Sequence, residues 1–317
     1  LRQASGSGQE KGILQKGGSK LGEEKLRKGK PGPGLQKSVK EKEVLDDENG
    51  DVTSKVIDCE TFYPVNSNNK PSTKTKVKSQ KLNVLTTNIC GLKSKTGSLT
   101  NILHENNIDI ACVSETHFEG DAIPEIKGYI TYHRNRIQKA KGGICMFIKK
   151  EYEQWVVKME SGLDANEYFV CKLGCFEPEL VLVLQYGVIE SRFTTSEILE
   201  IQSEVFNVVK SYCDMGHDVL WTGDMNLHVG NKGKLRSNNP TQSNGGKNLM
   251  KFIELENLHL CNWEDPSPTH IDRSGGQNNI LDLMITNVRD KITNFKVDTD
   301  LKFSPYRVRR VKTGLQK

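Results

Sequence analysis

The chain has 317 residues, with 45 Lys and Arg against 40 Asp and Glu for a net charge of +5, long enough for one large domain or two ordinary ones. No apolar run reaches the ~18 residues of a membrane span and no secretory leader pattern is present, which points to an intracellular protein with the nucleus open to it. The eight cysteines (59, 90, 112, 145, 171, 175, 213, 261) show no Cys-X-X-Cys pair or finger spacing, the habit of reduced buried thiols rather than a disulfide framework.

Residues 1–80 carry 16 basic and 11 acidic side chains, with Phe62 and Tyr63 as their only aromatics. That is too little apolar surface to offset ordering the backbone, so a disordered Lys/Gly/Ser-rich tail is expected, with transient helix near residues 21–30. The remaining 237 residues hold 29 of each charge (45 less 16, 40 less 11), so the whole net charge lies in the tail. A basic tail suits non-specific attraction to nucleic acid, and equally a solubilising linker. Residues 81–317 read as a single domain.

Within it, apolar β-branched runs end repeatedly in polar side chains. The run 82–87 delivers Asn88, followed by Ile89-Cys90-Gly91-Leu92. The run 108–114 delivers Glu115, the run 180–185 delivers Tyr186, and 218–221 leads into Gly223-Asp224-Met225-Asn226. There Gly223 lets the backbone turn, and Asp224 and Asn226 are expected on a rim rather than in the core. Further strands are expected at 143–149, 167–173, 258–262, 280–285 and 292–297. Helical stripes occupy 98–106, 196–212 with Thr195 or Ser196 as N-cap, and 247–256 entered through Gly245-Gly246. Asp282 stands inside an apolar segment, where an unpartnered carboxylate is costly, so it is either paired or part of a site. About ten strands with interspersed helices predict an α/β fold, a four-layer αββα sandwich of two mixed sheets with helices outside. Such an arrangement brings the polar strand ends to one rim.

Taken singly, these residues have ordinary explanations. Asn88 and Asn226 suit turn caps, Tyr186 a core aromatic, Glu115 a solvated loop acid and Trp263 a packing residue. His117, His133, His217, His228 and His270 lack metal-ligand spacing and receive no catalytic role. Lys302, Arg307, Arg309, Arg310 and Lys312 form a basic stretch that suits either phosphate contacts or a solvated connection.

Together, the segments 87–92 (TNICGL), 114–116 (SET), 142–148 (GGICMFI), Tyr186, 223–226 (GDMN) and 281–285 (LDLMI) resemble, in order and spacing, the endonuclease/exonuclease/phosphatase superfamily. The Asn-X-X-Gly-Leu opening and Asn244-Gly245-Gly246-X-X-Leu249 are similar to the endonuclease domain of non-LTR (LINE-type) retrotransposons and related domesticated animal proteins. The resemblance implies the same four-layer fold and Mg²⁺-dependent phosphodiester hydrolysis of DNA. It also implies roles: Glu115 as principal Mg²⁺ ligand with Asn88 beside it, Asp224 orienting or activating the attacking water, Asn226 and Tyr186 on the scissile phosphate, and Thr269 by a looser match facing phosphate. Asp282 matches the acid that orients a final His. Oxygen ligands without a His or Cys cluster select Mg²⁺, or Mn²⁺, over Zn²⁺. The family ends on a Ser-Asp-His motif on a last strand, and no such motif follows Asp282, so a domain truncated before its final strand, with impaired nicking, is expected. The alternatives are a phosphoesterase on a non-nucleic substrate and an inactive binding domain of the same fold.

Overall fold

The computed structural model describes residues 81–118, 125–135, 142–162, 166–230, 241–270, 279–303 and 306–313. The tail expected to be disordered lies outside the described residues, which all belong to the compact unit 55–317.

Two parallel β-α-β crossovers build the centre. β1 (Leu82–Asn88), α1 (Thr96–Glu105) and β2 (Ile110–Ser114) form one. β7 (Leu180–Tyr186), α2 (Thr195–Asp214) and β8 (Asp218–Asp224) form the other. The continuous apolar reading of β7 follows from burial on both faces: Leu180, Leu182 and Leu184 enter the core between the sheets, while Val181 and Val183 join the outer cluster beneath α2. The other elements are β3 (Tyr129–Arg134), β4 (Ile144–Lys149), β5 (Val156–Ser161), β6 (Glu167–Leu173), α3 (Asn244–Leu255), β9 (His259–Leu260), β10 (Asp282–Thr286), β11 (Ile292–Phe303) and β12 (Tyr306–Thr313). The first sheet runs β11-β12-β1-β2-β4-β3 and the second β5-β6-β7-β8-β10-β9. α1 covers the first through Leu99, Ile102 and Leu103, and α2 and α3 cover the second. The fold is thus the αββα sandwich that the pattern predicts.

Several details differ from the sequence reading. β3, β5 and β12 were not legible, and the basic stretch from Lys302 to Lys312 is divided between β11 and β12, a strand between β11 and β1, rather than a connection. The strand expected at 258–262 keeps two residues, because Cys261–Trp263 close into a 3-10 turn. α2 is capped one residue early: Thr194 Oγ1 accepts from Glu197 N, and Glu197 Oε2 accepts from Thr194 N at 2.7 Å, a reciprocal box. Gly245 and Gly246 lie inside α3 after a Ser243 cap. A Cβ on Gly246 would stand 2.1 Å from the His228 carbonyl oxygen, so close packing and not a turn selects glycine. The edge of β11 is covered where Val297 N donates to Asp265 Oδ2 at 2.7 Å.

Candidate active site

Register decides what meets what at the rim. In the second sheet Glu167 pairs with Tyr186, Tyr186 with Asp224, and Asp224 with Asp282, which sets four polar residues in a row across β6, β7, β8 and β10. In the first sheet Asn88 pairs with Ser114 and Ser114 with Ile144. Tyr186 belongs to the core between the sheets, as do Val84, Leu220 and Met284, which alternate in phase with Asn88, Asp224 and Asp282. The two rows therefore face one another.

Asn88 Nδ2 donates to Asp224 Oδ2 at 2.8 Å across the gap, joining residues 136 apart in sequence. Asn88 Oδ1 in turn accepts the Cys90 amide at 3.0 Å, which fixes the orientation of the side-chain amide. Asp224 Oδ1 accepts the Asn226 amide at 3.0 Å, and Asn226 Nδ2 donates to the Gly187 carbonyl at 2.8 Å. Asp224 is 0% exposed, in contrast to the expectation of a rim position, because the facing sheet lays Asn88 over it. Two donors on its carboxylate offset part of the desolvation of that buried group. Gly223 is required for close approach: at φ 140° a Cβ there would lie 1.8 Å from the Gln185 carbonyl oxygen of β7.

Glu115 follows β2 with a positive φ of 53°, and its side chain is 14% exposed. Tyr186 donates its hydroxyl to Glu115 Oε1 at 2.9 Å, and His117 Nε2 lies 3.3 Å from Oε2. Lys95 Nζ donates to the carbonyls of Ile89 and Cys90, steadying the loop after Asn88. Asp282 is buried at the start of β10, where Thr269 Oγ1 accepts its amide at 3.2 Å and Asn262 Nδ2 donates to its carbonyl at 3.2 Å. Thr269 is itself buried, so its hydroxyl serves the backbone of residues 281 and 282. A hollow of about 390 Å³ lined by His104, Tyr129, Lys149 and Lys150 lies at the far end of β4, away from these residues.

No family model matches the chain, and no curated protein matches it. Solved structures do match. An AP endonuclease from Archaeoglobus fulgidus superposes with a TM-score of 0.57 at 16% identity, over 73% of this chain and 98% of that one. A Neisseria 3′ phosphatase bound to a product DNA hairpin gives 0.58 at 14%, over 73% and 99%. The endonuclease domain of TRAS1, a telomere-specific non-LTR retrotransposon, gives 0.53 at 18%, over 75% and 100%. The chain shares the fold of these solved structures.

On this fold, the polar strand ends and motifs of the sequence point to Asn88, Glu115, Tyr186, Asp224, Asn226 and Asp282, and give no role to His117, Lys95, Asn262 or Glu167. His117 and Lys95 carry no strand-end pattern of their own. Asn262 closes the strand expected at 258–262, and Glu167 is an acid two residues before Phe169 on the core-facing phase of β6. The Glu115 side chain fits a hard divalent cation, since it presents carboxylate oxygens at the rim and such ions are held by one or two carboxylates while keeping several waters. Among the described residues, the group of three His, Cys and Glu ligand types close together is His259, Cys261 and Glu264, at the opposite end of β10, where Arg289 Nε already pairs with Glu264 at 2.6 Å. Among the described residues no helix is long and apolar enough to cross a membrane.

Proposed function

We propose that this chain is a Mg²⁺-dependent phosphodiesterase that nicks DNA. The observation that carries the reading is the contact of Asn88 with Asp224 from one sheet to the other, at the same end of the two sheets as the Tyr186–Glu115 pair. Glu115 holds the divalent cation, Mg²⁺ or Mn²⁺, with the Asn88 oxygen beside it. When bound, that ion supplies charge stabilisation for the phosphoryl oxygens.

The protein's own groups supply the rest. Asp224, held from both sides by Asn88 and the Asn226 amide, orients a water and takes its proton at a carboxylate oxygen. Asn226 has one amide hydrogen on Gly187 and turns its second toward the phosphate, a preorganised donor. The Tyr186 hydroxyl, directed by Glu115, is the second side-chain contact for that phosphate. Asp282 ends the row, in register with Asp224. DNA is favoured as substrate by the Neisseria neighbour's product hairpin and by the basic tail.

Supercoiled plasmid incubated with and without Mg²⁺ tests the reading. Conversion to the open circle only with the metal, and its loss in Asp224→Ala, is the expected result. Absence of nicking in both Mg²⁺ and Mn²⁺ by a folded protein refutes it.

A further inference from the structure

Glu167 opens β6 at the head of the acid row, in register with Tyr186, and is 3% exposed. Its Oε2 accepts the Gly143 amide across the sandwich at 2.6 Å. Gly143 in turn offers its carbonyl to Thr116 N at 3.1 Å, and Gly142 offers its carbonyl to His117 N at 2.9 Å. The two acceptors hold the residues immediately after Glu115. From the other side, Gly91 N donates to the Glu115 carbonyl at 2.8 Å and Leu92 N to that of Thr116 at 2.9 Å. Glu115 and His117 both sit at positive φ, 53° and 56°, a conformation that a free loop of these residues leaves readily. Packing between the two loops is tight, since a Cβ on Gly143 would lie 2.5 Å from Thr116 Oγ1.

We infer that Glu167 is the positioning residue for Glu115. Its buried carboxylate clamps the Gly142-Gly143 corner by a short hydrogen bond, and that corner sets the direction in which the Glu115 carboxylate faces. The inference rests on the proposed role of Glu115 as the cation ligand. The contact with Gly143 needs an acceptor at that point, which a carbonyl oxygen also supplies.

The test compares the full chain with Glu167→Gln, which retains a carbonyl acceptor, and Glu167→Ala, which does not. Mn²⁺ binding is followed by the loss of the free-ion electron paramagnetic signal, nicking is titrated with Mg²⁺, and amide exchange is followed at Gly143, Thr116 and His117. In Glu167→Ala the Mn²⁺ affinity and the Mg²⁺ half-saturation point should weaken ~10–100-fold, the usual effect of removing an outer partner of a ligand, with nicking recovering at high metal. Exchange at the three amides should accelerate, and Glu167→Gln should restore all three readouts. Wild-type metal binding in Glu167→Ala overturns the inference. So does a folded Glu167→Gln as impaired as Glu167→Ala, which would place the charge itself at the reacting centre. If the parent chain neither binds Mn²⁺ nor nicks DNA, the reading of Glu115 fails, and amide exchange still decides whether Glu167 holds the loop. Unchanged exchange at Thr116 and His117 in Glu167→Ala then refutes the clamp.

Discussion

Replacing Asp224 by Asn separates the structural from the chemical part of the site. The carboxylate accepts on both oxygens, from Asn226 N at 3.0 Å and from Asn88 Nδ2 at 2.8 Å. An amide at position 224 presents an NH₂ to one of those donors whichever way it turns. Asn88 cannot flip to compensate, because its oxygen already accepts Cys90 N. One buried donor is left facing another, which costs about 1–3 kcal/mol. For a domain of this size that is a fall in melting temperature of about 2–12 °C. The exchange Asn88→Asp with Asp224→Asn removes the conflict. The new amide donates to the new carboxylate, which still accepts Cys90 N, while the amide oxygen accepts Asn226 N. The exchanged protein should therefore melt well above Asp224→Asn, a coupling that a double-mutant cycle reads directly. Its nicking should stay ~10²–10⁴-fold below wild type, because the proton-accepting carboxylate has moved to β1. A swap that melts no higher than Asp224→Asn, or that nicks as fast as wild type, refutes the reasoning.

Three other outcomes are expected. Glu115→Ala should abolish Mg²⁺-dependent nicking while shifting stability by less than about 1 kcal/mol, since the side chain is at the partly exposed rim; a strong loss of stability with retained nicking would mark Glu115 as structural. Gly223→Ala should destabilise by roughly 3 kcal/mol or more, because the added methyl meets the Gln185 carbonyl at a positive φ, and a wild-type urea midpoint would contradict the contact. Stability should fall in alkali. Burial raises the Cys112 and Cys261 thiols from 9.0 to about 12, and the Tyr129 and Tyr132 hydroxyls from 10.0 to about 12. Below pH about 9 both states keep these protons; above it the unfolded chain releases them first, so stability is lost as pH rises toward 12, by up to about 1.4 kcal/mol per pH unit for each of the two buried thiols. Urea midpoints that stay level through that window count against buried, protonated thiols.

Much of the architecture is local and so was legible in the chain. The apolar runs 82–87 and 180–185 and the helical stripe 196–212 each specify backbone conformation and a face to bury, and faces to bury on both sides of strands require layers. Glycine was visible at 223, 245 and 246, although its reason at Gly246, the His228 carbonyl 2.1 Å from a would-be Cβ, belongs to packing. The polar strand ends could be enumerated because an oxygen-bearing side chain after an apolar run is a one-dimensional signal. Which ends touch is not. Asn88 and Asp224 are neighbours only because β1 lies over β8 in the facing sheet, and Glu167 joins the row only because β6 pairs with β7 in one register; a one-residue slip would turn each to the other face. The same holds for β12, whose Arg-rich pattern fits a strand only when β1 and β11 stand on either side to take its hydrogen bonds. Composition and periodicity decided the elements and their chemistry; pairing partners far apart in sequence, stabilised by one shared core, decided the geometry in which that chemistry is held.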